Sequence, residues 1–231
     1  ASLMAGLGTL DPAIRFLGIG GPLMAEEGLD SLFPMEELSV MGLAEVLPRL
    51  PHLFRRRDEA VAAVLAARPD ALVTIDSPDF CLRVAAGVKE AAPELRTIHY
   101  VAPTVWAWRP KRAAKMARAV DHVLALFPFE PPYMEAAGMG CDFVGHPVAA
   151  DPVPSEAEAA AFRARHDIAA DARLLCVLPG SRAGEVSRLG PVFGEALRPV
   201  AAAMPGLRVV VPAARAVAGA VRGSSGQGCL G

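Results

Sequence analysis

Short apolar runs alternate along the chain with longer, alanine-rich stretches whose apolar positions recur every three or four residues. The runs at 14–19, 71–75, 97–101, 122–126, 141–144, 174–178 and 208–211 predict strands, apolar throughout rather than alternating. Between them, 52–68, 79–91, 110–119, 131–137, 155–166 and 185–204 carry helical spacing, often opened by Pro or Ser and closed by Gly or Pro. Strand, helix and strand repeated in this way predict an α/β fold, with parallel sheet covered on both faces.

The stretch from Gly145 to Pro154 holds three prolines and no periodicity, which marks a linker. The chain then divides into a first domain at 1–146, a linker at 147–154 and the beginning of a second domain at 155–222. Residues 223–231 are rich in Gly and Ser and flexible in composition. The second part has two strands and two helices, too few to close a sheet with covered edges, so a longer parent chain is expected. The first residues read as the end of a helix already under way, so more is expected before Ala1 as well.

With 231 residues and 53% apolar composition, a buried core is readily built. A formal net charge of −2 argues against nucleic-acid binding, which needs a basic domain to neutralise phosphates. Cys81, Cys141, Cys176 and Cys229 are far apart with no C-x-x-C, so a reduced compartment is expected. No apolar run reaches the roughly 18–20 residues that span a bilayer, and the start lacks the parts of a signal peptide. The expected location is cytoplasmic.

Both tryptophans and the densest positive charge fall within Thr97–Arg112. An apolar strand leads there into a loop bearing Trp106 and Trp108, and Arg109, Lys111, Arg112, Lys115 and Arg118 follow around a helix start at Pro110. Aromatic surface beside clustered cations suits a ligand with a flat or greasy part and an anionic part.

Asp76 follows the buried run 71–75 at once, and ligands of open parallel sheets bind beyond the carboxyl ends of the strands. A helix cap is the plainer reading, but Ser77 followed by Pro78 is expected to fill that role. Asp79 is explained by the helix dipole alone. Gly180, Ser181, Arg182 and Glu185 sit where a strand turns into a helix, and backbone N–H groups, a helix start and a guanidinium can hold a diphosphate there. An ordinary turn with a solvated Arg is the alternative, and the Gly-Lys-Ser/Thr ending of a Walker A loop is missing. Gly18–Met24 lacks the third glycine of a dinucleotide fingerprint.

Leu43, Val46, Leu47, Leu50, Leu53 and Phe54 can form one apolar face with Arg49 and Arg55–Arg57 at its rim. Such a stripe serves either as core or as a membrane-surface face. The histidines show no metal-ligand spacing, and there is neither an Asp-x-Asp nor a G-x-S-x-G elbow, so no metal and no cofactor is expected. His99 reads as a satisfied core residue of a strand, while His146 faces either a cleft or solvent.

Seven segments in order resemble the lipid-A-disaccharide synthase family, glycosyltransferases of the GT-B type: Gly18–Met24, Met35–Val46, Ile75–Phe80, Thr97–Arg112, Leu126–Glu130, Phe143–Pro147 and Leu178–Val186. The resemblance implies two Rossmann-like parallel-sheet domains, the second incomplete in this chain. It implies transfer of a sugar from UDP-2,3-diacylglucosamine to 2,3-diacylglucosamine 1-phosphate, giving the lipid A disaccharide 1-phosphate and UDP. Asp76 would be the base, the turn from Gly180 to Glu185 the diphosphate site, and Trp108, Arg109, Lys111 and Arg112 the acceptor-phosphate site. Leu43, Leu47, Leu50, Leu53 and Phe54 would meet acyl chains or the inner-membrane surface, and a homodimer of the full-length protein is allowed. The family's Gly-Glu-x-Ser-Gly-Asp loop is expected before Ala1, and its later nucleotide loop beyond this chain, so the chain alone is expected to be inactive. The tail from Gly223 is unlike the family. Another UDP-sugar transferase or epimerase of GT-B type, or a non-catalytic module binding acylated sugar phosphates, is the alternative.

Overall fold

Four of the apolar runs pair into one parallel sheet in a computed structural model that describes residues 1–38, 43–106, 111–181, 183–213, 217–219 and 221, with the backbone alone at 36, 43–47 and 183. The chain falls into two compact units, Ala1–Asp151 and Pro152–Gly231. In the first, β1 (Ala71–Ile75), β2 (Arg96–Tyr100), β3 (His122–Ala125) and β4 (Gly140–Phe143) lie side by side in chain order. The register aligns Thr74, His99, Val123 and Cys141 across all four strands. Helices α4 (Pro78–Ala91), α5 (Lys111–Met116) and α6 (Pro131–Glu135) make the crossovers that parallel neighbours require. Ahead of the sheet come α1 (Ser2–Leu10), α2 (Pro22–Glu26) and α3 (Leu43–Ala67).

Val84 and Val88 of α4 pack with Ala60 of α3 and with Leu72 of β1. Ala113 and Met116 of α5 and Met134 of α6 pack with Val123 and Ala125 of β3. Leu72, Thr74, His99, Val123 and Ala125 share one strand parity, so these helices gather on a single face. Covered faces on both sides were expected. Instead Val73 on the other face stays 38% exposed, and Ile98, Tyr100 and Leu124 beside it are half-buried. An apolar strand composition reports what a strand can tolerate, whereas coverage depends on where the crossover helices land.

The expected strand at 14–19 is absent as well. Among the described residues its backbone makes a single bridge, Gly18 to Ser31, and Leu17 is 75% exposed. An apolar run becomes a strand only with a neighbour to complete its hydrogen bonds, and here the Gly20 N–H turns to the Ser31 hydroxyl at 3.1 Å instead. A Cβ on Gly20 would lie 2.5 Å from Leu29 Cδ2, so this glycine serves close packing. Helix α3 begins nine residues ahead of its expected start at 52 and continues through Pro48 and Pro51. Its amphipathic stripe and its packing against α4 outweigh the missing N–H donors.

The second unit is described by itself. Ser155 caps α7 (Glu156–Arg165) in a reciprocal pair: its hydroxyl accepts from the Glu158 N–H at 3.3 Å, and Glu158 Oε2 accepts from the Ser155 N–H at 2.8 Å. Strands β5 (Leu174–Cys176) and β6 (Arg208–Val210) pair in parallel and are joined by α8 (Ala183–Ala203). Val186, Val217 and Val221 form its core with Val211 against them. Among the described residues, no helix is long and apolar enough to cross a membrane.

Candidate active site

The carboxyl end of β1 is held under strain. Asp76 and Ser77 both have left-handed backbone, with φ of 47° and 42°, and Val101, just past β2, has φ of 80°. Asp tolerates this region, but a β-branched valine does so rarely, and a residue before proline prefers extended backbone. Hydrogen bonds over-determine the geometry: the Asp76 N–H donates to Tyr100 O at 2.9 Å and the Val101 N–H to Leu124 O at 3.0 Å. Strain of this kind, about 1–3 kcal/mol per residue, persists where the surroundings impose it and clusters at functional sites.

The pinned backbone leaves the Asp76 side chain exposed and without a hydrogen-bond partner among the described residues. Ser77 does not take the capping role expected of it. Its hydroxyl makes no cap bond; only its carbonyl accepts, from Phe80 and Cys81. Left-handed backbone takes the side chain away from the extended N-cap geometry that lets a hydroxyl reach the N–H groups of the first turn.

Beneath Asp76, His99 is fully buried with Nδ1 2.8 Å from Thr74 Oγ1. Burial pushes its pKa down to about 4, against the nearby Asp76 charge and with that of Arg112. The histidine is in the core, as expected, but it is satisfied at one nitrogen only. Nε2 has no partner among the described residues. Burial also raises the Cys81 thiol to about 11, which makes it a poor nucleophile.

Of the basic candidates, Lys111 is exposed, and Arg112 reaches from α5 to the first turn of α4, where its Nη2 donates to Asp79 Oδ1 at 2.8 Å. Asp79 therefore has a partner 33 positions away that no local pattern announces. Trp108 and Arg109 lie outside the described residues. Trp106 is half-buried and meets Phe129 edge-on, with ring centroids 5.0 Å apart. His146 is exposed, and its Nδ1 accepts from the Val148 N–H at 3.1 Å.

In the second unit, Gly180 has φ of 121° and Ser181 is exposed, while Arg182 lies outside the described residues. The Ser181 N–H donates to Glu185 Oε2 at 3.1 Å. The turn thus already holds an anion, the protein's own carboxylate. On the apolar stripe, Leu50 and Leu53 are half-buried and Phe54 is 38% exposed, with the guanidinium groups of Arg57 and Arg83 5.2 Å and 5.8 Å from its ring centre. The side chains of Leu43 and Leu47 lie outside the described residues. Arg56 is not a free rim cation, because Glu37 accepts a two-pronged bond from it at 2.7 Å and 2.8 Å.

Residues 1–220 match the sequence model of lipid-A-disaccharide synthetase. The chain belongs to this family. It is 62% identical over 211 residues to the lipid-A-disaccharide synthase of Ruegeria pomeroyi, covering 91% of this chain and 52% of that protein. Identity to the Rhodospirillum centenum lipid-A-disaccharide synthase is 56% over 220 residues, covering 94% and 54%, and to a Pseudomonas aeruginosa one 50% over 216 residues, covering 94% and 56%. The chain spans about half the length of the curated relatives it matches. The parallel sheet with helical crossovers is the Rossmann-like architecture expected of a lipid-A-disaccharide synthase of GT-B type.

Proposed function

We propose that the full-length protein is a hexosyltransferase of lipid A biosynthesis, moving a 2,3-diacylglucosamine unit from its UDP derivative to 2,3-diacylglucosamine 1-phosphate. The observation that carries the reading is Asp76: an exposed carboxylate without a hydrogen-bond partner among the described residues, on a strained backbone at the carboxyl end of a parallel strand, in a chain of this family. The acceptor hydroxyl loses its proton to Asp76 as its oxygen bonds to the anomeric carbon and the bond to UDP breaks. In the first unit, Lys111 and Arg112 hold the acceptor phosphate, with Trp108 and Arg109 of the same loop. In the second, the turn of Gly180, Ser181 and Arg182 receives the departing diphosphate at the start of α8, where it displaces Glu185 from the Ser181 N–H. Leu50, Leu53 and Phe54, with Leu43 and Leu47 of the same stripe, meet the cytoplasmic surface of the inner membrane, and the arginines beside Phe54 suit anionic headgroups.

The deciding experiment is Asp76→Asn in the full-length protein, assayed for disaccharide formation from the two acylated substrates. A fall in kcat of about a hundredfold or more is expected, with substrate binding retained. Undiminished turnover would remove Asp76 as the base.

A further inference from the structure

A strip of aromatic rings lies at the carboxyl-end side of the first sheet. Phe127 and Phe129, just past β3, stack with planes 8° apart and centroids 5.5 Å apart. Trp106 meets Phe129 edge-on, Tyr133 lies 6.5 Å from Trp106, and His146 lies 6.2 Å from Phe127. Phe127, Phe129 and Tyr133 remain 42%, 48% and 47% exposed. A half-exposed aromatic ring forgoes much of the stabilisation of burial, so a cluster of them in water needs a reason.

The turn that presents the two Phe rings is firmly held. Glu130 is 1% exposed, and its Oε2 accepts from both the Leu126 and the Phe127 N–H at 2.9 Å, while its own N–H donates to Phe127 O at 3.1 Å. A carboxylate is expensive to bury unless it is hydrogen-bonded, and here Oε2 braces the backbone that carries Phe127. The only acid in the turn is thereby directed inward, and the strip facing water carries none of its charge.

We propose that this strip seats an acyl chain of a substrate, an inference that rests on the transferase reading and specifies where the lipid part goes. A sugar stacks on an open, flat ring face. Neighbouring rings here are turned by 8°, 83°, 47° and 39°, which gives a ridged apolar surface. A flexible alkyl chain follows such ridges and is stabilised by each methylene it buries. Strand β3 stands two positions from β1, about 10 Å across the sheet. The strip therefore lies beyond the acceptor sugar whose hydroxyl Asp76 would deprotonate, on the side to which an attached chain can extend. Charge agrees with this placement, since Lys111 and Arg112 on the element after Trp106 would take the anionic head of the same amphiphile.

The test uses the full-length protein and a Phe127→Ser/Phe129→Ser variant, each assayed with long-chain and with acetyl-bearing substrates. The expected result is a fall in kcat/KM of about tenfold or more for the long-chain pair and little change for the acetyl pair. A Phe127→Leu/Phe129→Leu variant, still apolar, should recover the long-chain preference. Equal losses on both pairs, no loss on either, or failure of the Leu variant to recover while its melting temperature is normal would overturn the proposal. So would weaker flotation with anionic phospholipid vesicles, or a changed oligomeric state, with the chain-length preference intact. If the wild-type protein turns over neither pair, the transferase reading fails by itself. Quenching of a fluorescent fatty-acyl probe then decides the strip: binding to the wild type and the Leu variant but not the Ser variant supports it, and equal binding to all three overturns it.

Discussion

His99 Nδ1 stands 2.8 Å from Thr74 Oγ1 across the register of β1 and β2. Thr74 Oγ1 also lies 3.2 Å from Ile98 O, and a hydroxyl proton directed there leaves its lone pairs to accept from His99 Nδ1–H. Nε2 then carries a lone pair into the core, without a partner among the described residues. Protonating it would place a charge where burial disfavours one, beneath the strained end of β1.

A pH dependence of stability results. The ring titrates near 6.5 in the unfolded chain and near 4 in the folded one, so between those values the unfolded state binds more protons. The contribution of His99 is fully present above about pH 6.5, is lost progressively toward pH 4, and totals on the order of 3 kcal/mol. Urea unfolding from pH 8 to pH 4 should show this slope in the wild type, and His99→Gln should lack it. Carboxylates such as Glu37 and Asp121, held below their usual range, titrate in both proteins and cancel in the difference. Parallel curves for the two proteins across that window would refute a buried neutral His99.

The ion pair of Arg112 with Asp79 supports a prediction about affinity. Asp79 is 93% exposed and Arg112 23%, and pairs in contact with water contribute at most about 1 kcal/mol to stability. If Arg112 holds the acceptor phosphate, Asp79 competes for the same guanidinium. Asp79→Asn should then lower the acceptor KM by about threefold or more with little change in melting temperature, and Arg112→Gln should raise it by about tenfold. Steady-state kinetics on the full-length protein checks both. An unchanged KM in Asp79→Asn beside a raised one in Arg112→Gln would show that the carboxylate does not compete.

Much of the sheet was legible because its strands, packed on one face, are written as largely apolar runs. β1 has the bounds that composition indicates, and the other five paired strands shift by only one or two residues at their ends. Asp76 was legible for the same reason, since it is the first polar residue after such a run. What stayed hidden depends on partners distant in sequence. Residues 14–19 have strand composition but make only the Gly18–Ser31 bridge among the described residues, and Asp79 looks like a helix-start acid until Arg112 arrives from α5. Ser77 has the right type for a cap and the wrong backbone. Glu130 is turned inward beneath Phe127 by the fold, through bonds that no pattern in the sequence announces.

The turn before α8 can be tested through its resident carboxylate. At Gly180, φ of 121° lies in a region that side chains rarely adopt, and a Cβ there would stand 2.6 Å from Glu185 Cβ. Gly180→Ala should therefore destabilise the protein by about 1–3 kcal/mol and weaken UDP binding, because the turn cannot close on the Ser181 N–H. Glu185→Gln acts in the other direction. It preserves the size of the side chain while removing the negative charge that occupies the proposed diphosphate position, so UDP affinity should rise by about threefold or more. Calorimetric titration of the full-length protein with UDP separates the cases. If Glu185→Gln weakens binding as Gly180→Ala does, the carboxylate serves the nucleotide or the shape of the turn, and displacement of Glu185 by the diphosphate is wrong.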